Sequence, residues 1–142
     1  MQIDRVRKYL NQIKSLSELI DEQMRTYNDI CVNNQKVCAV INDMPGGHNG
    51  SDLSNTIIVI EKEREKLLKI IQDNSNIRVK IIEQINMMRN RSNAALLQAV
   101  FVNQISVDEV AIKRKVEKRT IERKLNNALH SFLNEHSYIF KS

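Results

Sequence analysis

Residues 106–132 read SVDEVAIKRKVEKRTIERKLNNALHSF, and the fold turns on them. Ser106 followed three positions later by Glu109 is the pattern of a capping box, in which each side chain satisfies a backbone N–H of the other at a helix start. Val107, Val110 and Ala111 then share one face. Arg114-Lys115-Val116 breaks the rhythm as a short turn. Ile121, Leu125, Ala128, Leu129 and Phe132 follow at i, i+4, i+7, i+8 and i+11, a well-defined apolar stripe on a second helix. Two short helices with apolar faces and a tight turn between them are the core parts of a helix-turn-helix. Upstream, Ala94 to Val102 supplies a third short apolar helix, with Ser92 or Asn93 as its expected cap and Ile105 in the joint that follows.

The rest of the chain has a different rhythm. In the first forty residues Ile3, Val6, Leu10, Ile13, Ser17, Ile20, Met24, Tyr27 and Cys31 recur at alternating spacings of three and four, a narrow seam that packs against another helix, widened by Leu16 and Leu19. No proline or glycine interrupts it before Pro45. Residues 42–52 hold the only proline and all three glycines, so a loop is expected there. No Gly-Lys-Ser/Thr follows these glycines and no strand precedes them, which removes a phosphate-cradling loop. A second long helix opens near Ser51, Asp52 or Ser54, with Leu53, Ile57, Ile60, Leu67 and Ile71 as its seam and Arg64 in one slot. Its exposed side runs from Glu61 to Lys66, where charge pairs add roughly a few tenths of a kcal/mol each. Asp73-Asn74-Ser75-Asn76 breaks the apolar rhythm, and Ile77, Ile81, Ile85 and Met88 resume it in a shifted register. One helix to about residue 89 is favoured over two with a polar joint.

The expected fold is therefore all-α. A long antiparallel helical hairpin over residues 1–90, with its loop at 42–52, is followed by a three-helix helix-turn-helix over 91–135 and a tail over 136–142. Whether the long seams pair within one chain or between two is left open by the pattern.

Charge is concentrated. Lys plus Arg is 22 and Asp plus Glu is 17, a net +5. The window from Lys113 to Lys124 alone holds seven basic and two acidic residues, which accounts for all of it; elsewhere the count is 15 against 15. A single basic segment on a neutral body points to a local anion-binding surface. It lies where a helix-turn-helix meets DNA: the turn and the start of the recognition helix, expected at about 117–133. Lys118, Arg119, Glu122 and Arg123 project away from the apolar stripe and are the candidates for base edges, the arginine fork matching guanine O6 and N7. Lys113, Arg114, Lys115, Thr120 and Lys124 are the candidates for phosphates, where charge and reach suffice.

The segment from Ile105 to Leu129 resembles region 4 of the sigma-70 family. It shares a hydroxyl-acid-acid-apolar-small opening, here Ser106-Val107-Asp108-Glu109-Val110-Ala111, then a turn and a basic helix closing on Ala128-Leu129. The whole chain resembles phage and prophage transcriptional regulators of the ArpU/RinA type, which join a long-helix N-terminal part to a sigma region 4-like motif. They also carry a Met-Pro-Gly-rich loop ending in Ser-Asp, here Met44-Pro45-Gly46 to Ser51-Asp52. Against the sigma pattern, Arg114 replaces an apolar residue before the turn, Lys115 the turn glycine, Glu117 the hydroxyl cap, and Lys124 an apolar residue in the helix. The resemblance implies control of phage late genes. The 18 isoleucines and 16 asparagines suit an AT-rich genome.

Other chemistry finds little footing in the sequence. Cys31 and Cys38 lie seven apart without a Cys-x-x-Cys pair, which suits a reducing cytoplasm; the resemblance implies that of a bacterial host. His48, His130 and His136 are scattered, and no metal-binding quartet or nucleophile motif occurs. No catalytic residue, cofactor, metal, small-molecule substrate or membrane span is expected. The expected partners are duplex DNA, RNA polymerase, and a second copy of the chain as a homo-oligomer. The alternative is a helical adaptor that binds RNA polymerase or another phage or host protein without reading DNA sequence.

Overall fold

A computed structural model describes residues 2–43 and 50–141, with side chains for 2–33 and 55–141. Its elements in order are α1 (Gln2–Asp43), α2 (Gly50–Asn86), α3 (Arg91–Leu97) running into a π-helical turn (Gln98–Val102), α4 (Val107–Arg114), α5 (Lys118–Glu135) and a 3-10 turn (Ser137–Ile139). The protein is all-α, and no strand occurs among the described residues. No helix among them is long and apolar enough to cross a membrane.

The long helices approach each other more closely in sequence than the loop signal suggests. α1 runs to Asp43 and α2 begins at Gly50, so only 44–49 remain of the loop expected over 42–52, and those residues lie outside the described set. Ser51, Asp52 and Ser54, expected as caps, fall inside α2; their side chains, with those of Leu53 and Cys38, lie outside the described residues. α2 crosses Asp73-Asn74-Ser75-Asn76 unbroken and ends at Asn86, just short of the expected 89.

The chain forms two compact units, one of Met1–Ser17 with Asn76–Ser142 and one of Glu18–Ser75. The first holds residues on both sides of position 90, and its buried cluster draws on the long and the short helices alike. Val6, Leu10 and Ile13 of α1 and Ile81 and Ile85 of α2, with Met88 just beyond it, join Leu96, Leu97, Phe101, Val110, Ala111, Ile121, Leu125, Ala128, Leu129 and Phe132 in one buried cluster. Each large side chain in it contributes about 1.5–3 kcal/mol of burial. Residue numbers rise along α1 as they fall along α2: Tyr9 Oη donates to Gln84 Oε1, and Arg78 Nε donates to Ser17 Oγ at 2.8 Å. The two helices are antiparallel here. Burial raises the Tyr9 phenol above its ordinary pKa.

The expected tail is part of this core. His136 is 7 % exposed. Its ring stacks on Phe132 at 4.6 Å, and Phe140 meets Tyr9 edge-on at 5.5 Å. α3 starts earlier than expected. Asn90, not Ser92 or Asn93, is its cap, with the Asn90 side chain accepting from the Asn93 N–H at 3.2 Å.

In the second unit α1 and α2 meet along thinner faces. Ile20, Gln23, Tyr27, Ile57, Ile60, Arg64 and Leu67 are half-buried, and among its described side chains only Ile71 is buried. Asn74 Nδ2 donates to Gln23 Oε1 at 3.2 Å. The α2 seam does not shift at Asp73. It continues through Asn74 and Arg78 to Ile81 and Ile85, leaving Ile77 47 % exposed; on α1, Gln23 takes the seam and Met24 is exposed, as is Leu19. Polar side chains hold these slots because each finds its partner on the opposite helix.

Candidate nucleic-acid interface

α4 starts as its sequence predicts: Ser106 Oγ accepts from the Glu109 N–H at 3.2 Å, the Ser106 half of the capping box. It ends on Lys115, whose backbone is left-handed at φ 59° and ψ 43°. The Val116 N–H reaches the Ala111 carbonyl at 3.0 Å and the Lys115 N–H reaches Ile112 at 3.2 Å, the paired bonds of a Schellman ending. Glycine usually serves at this position because it has no Cβ to clash. The three-residue turn then delivers the chain to α5 at Glu117, which caps that helix without a side-chain hydrogen bond.

α4 and α5 thus meet across a tight turn with Val110 and Ala111 packed in the same core as Ile121 and Leu125. The predicted residues sort by place. Lys113 and Arg114 lie exposed in the last turn of α4. Lys115 is exposed in the turn itself. Lys118 and Glu122 face α4: Lys118 Nζ lies 3.3 Å from Asp108 Oδ1 and 4.0 Å from Glu122 Oε1. These exposed ion pairs lie at the surface where the two helices meet. Thr120 is half-buried, while Lys124 is exposed.

Arg119 and Arg123 lie on the remaining face. The buried row Ile121, Leu125, Ala128, Phe132 runs at i, i+4, i+7 and i+11. Arg119, Arg123, Asn126 and His130 repeat that spacing two residues earlier, about 200° around the helix and hence opposite the core. All four are exposed. Asn126 and His130 were absent from the candidates read off the sequence, because attention to charge stops at Lys124. The signal that finds them is the same periodicity that defines the core row. Asn127, also exposed, sits on a neighbouring line of the helix with Thr120, Lys124 and Ser131.

The arrangement can present two guanidinium forks and an amide along one straight ridge, flanked by the cations of the turn. No protein-family model, no curated protein and no solved structure matches the chain.

Proposed function

We propose that this protein is a sequence-specific, duplex-DNA-binding transcriptional regulator, with α4, the Lys115 turn and α5 acting as a helix-turn-helix and α5 entering the major groove. The observation that supports it best is the exposed row of Arg119, Arg123 and Asn126 directly opposite a fully buried row, next to the basic turn. A helix held by its back and armed on its front is what groove reading requires. Base contacts fall to Arg119 and Arg123. Phosphate contacts fall to Lys113, Arg114, Lys115 and Lys124. Lys118 pairs at the surface with Asp108 and Glu122 beside this row. The resemblance to ArpU/RinA-type regulators makes phage late promoters in a bacterial cytoplasm the expected targets. Unit Glu18–Ser75 pairs with a second copy.

Selection of binders from a random duplex pool, followed by anisotropy titrations at rising salt, tests this. Arg119→Ala or Arg123→Ala should cost about 1–3 kcal/mol on the selected site and relax its base preference. Lys113→Ala or Lys115→Ala should weaken all duplexes alike and flatten the salt slope by about one unit each. Equal losses on every sequence for all four variants would remove the recognition-helix assignment. The adaptor alternative draws on Ile112, 77 % exposed beside the basic turn. It gains if no duplex is preferred and RNA polymerase is retained on the immobilised protein only while Ile112 is intact.

A further inference from the structure

The line of α5 that carries Thr120, Lys124, Asn127 and Ser131 faces α3, where Asn93 Nδ2 donates to Ser131 Oγ at 3.1 Å. Next to that contact lies a notch of about 290 Å³, lined by Ser92, Asn93, Leu96, Arg114, Lys124 and Asn127. Three elements build it: the start of α3, the end of α4 and the middle of α5. Its lining includes two cations, a hydroxyl and two amides, and no carboxylate. Leu96, 2 % exposed, belongs to the core and anchors the lining to the fold.

We infer that this notch seats one backbone phosphate of a DNA duplex, anchoring the duplex beside the Arg119–Arg123 row without reading its sequence. A phosphodiester offers one negative charge and two free oxygens. An arginine fork can bind these with two parallel hydrogen bonds, an ammonium adds charge without directional demand, and hydroxyl and amide N–H donors complete the shell. The position suits this. Lys124 and Asn127 each follow a member of the exposed row, Arg123 and Asn126, by one residue, about 100° around the helix. A helix lying in the groove with that row toward the bases turns such a flank toward one strand. Ser92 and Asn127 gain a role here that charge counting along the sequence does not assign. The inference rests on the DNA-binding proposal for α5.

Three measurements on the full chain test it, with a duplex selected for affinity as the probe and circular dichroism confirming unchanged helix content. Ser92→Ala combined with Asn127→Ala should weaken selected and random duplexes alike, by about 3- to 10-fold, with base preference intact. Arg114→Gln and Lys124→Gln should be coupled, the double variant losing less than the product of the single losses, because both cations serve one phosphate. Replacing phosphates one at a time by neutral methylphosphonate should reveal one linkage whose loss hurts the parent protein and leaves the Arg114→Gln/Lys124→Gln protein unaffected. Independent losses, no such linkage, or a changed base preference in the Ser92/Asn127 variant would overturn the shared seat. If Arg119→Ala and Arg123→Ala still relax base preference in that case, the recognition helix stands and only the notch falls. If the parent protein prefers no duplex, both fall together.

Discussion

At the scale of single residues, two of the positions that carry local cost lend themselves to direct test. Lys115 holds a left-handed backbone that a Cβ penalises by about 1–2 kcal/mol. Lys115→Gly removes that penalty and gives back part of it through the looser unfolded chain, so denaturant unfolding should show a gain of about 0.5–1 kcal/mol. The same variant should bind DNA more weakly, through the lost cation. A stability gain with unchanged affinity would take Lys115 off the phosphate surface while leaving the turn as described. Tyr9 is the second. Its phenol is held above its ordinary pKa by burial, and Gln84, its partner, is itself buried. With the folded pKa raised, the unfolded chain ionises first as pH rises. The stability due to the neutral phenol is therefore complete below the unfolded value and is lost as pH climbs through the folded one. Tyr9→Phe leaves Gln84 Oε1 without its donor and should cost about 1–2 kcal/mol at neutral pH. The gap between parent and variant should then narrow above about pH 10. A gap of constant size from pH 8 to pH 11 would show that burial does not hold the phenol neutral.

At the scale of elements, the α2 seam shows what pattern can and cannot carry. Its apolar half, Ile57, Ile60, Leu67 and Ile71 with Arg64 between, follows from spacing alone. Beyond Asp73 the spacing misleads, because the rule that apolar residues face inward favours Ile77 over Arg78 and Met24 over Gln23. What reverses it is a partner far along the chain: Arg78 bonds Ser17, and Asn74 bonds Gln23. No local window contains such information. A polar layer of this kind fixes the register of two helices at some expense of stability. Gln23→Leu with Asn74→Leu should accordingly raise the thermal midpoint, by about 1–2 kcal/mol in stability terms, since two half-buried leucines replace a polar pair. A midpoint that stays or falls would mean that the amide pair packs better than leucine can. The site divides similarly. The exposed placement of Arg119 and Arg123 opposite the core row is legible from periodicity, and α5 differs from expectation by only one or two residues at its ends. The engagement of Lys118 by Asp108 and the meeting of Ser92 with Arg114 and Asn127 are not, because each depends on how α3 and α4 pack on α5. The tail is the clearest loss. His136 and Phe140 look terminal until Tyr9 and Phe132, one of them from the opposite end of the chain, close around them.

At the scale of the whole molecule, the uneven distribution of burial bears on assembly. Among the described side chains, Met1–Ser17 with Asn76–Ser142 holds every buried one but Ile71, which belongs to Glu18–Ser75. That second unit exposes Leu19, Met24, Val32, Ile58, Val59, Leu68 and Ile70. Over the described side chains, two helices with so thin a shared core recover little of the conformational entropy that ordering them costs, about 1–2 kcal/mol per residue for the backbone alone. Covering the exposed side chains with the same surface of a second copy is the most economical completion, and it matches the symmetry by which paired recognition helices read DNA half-sites roughly 34–36 Å apart. Sedimentation equilibrium should find a dimer at micromolar concentration. Ile58→Glu with Ile70→Glu should convert it to a monomer that keeps its base preference on a half-site. On the full site it should lose about 10²- to 10⁴-fold in affinity, the contribution of effective concentration when two linked modules bind together. A parent protein that stays monomeric at tens of micromolar, yet protects a single asymmetric site, would place DNA recognition in one chain and leave the exposed residues of Glu18–Ser75 to a different partner.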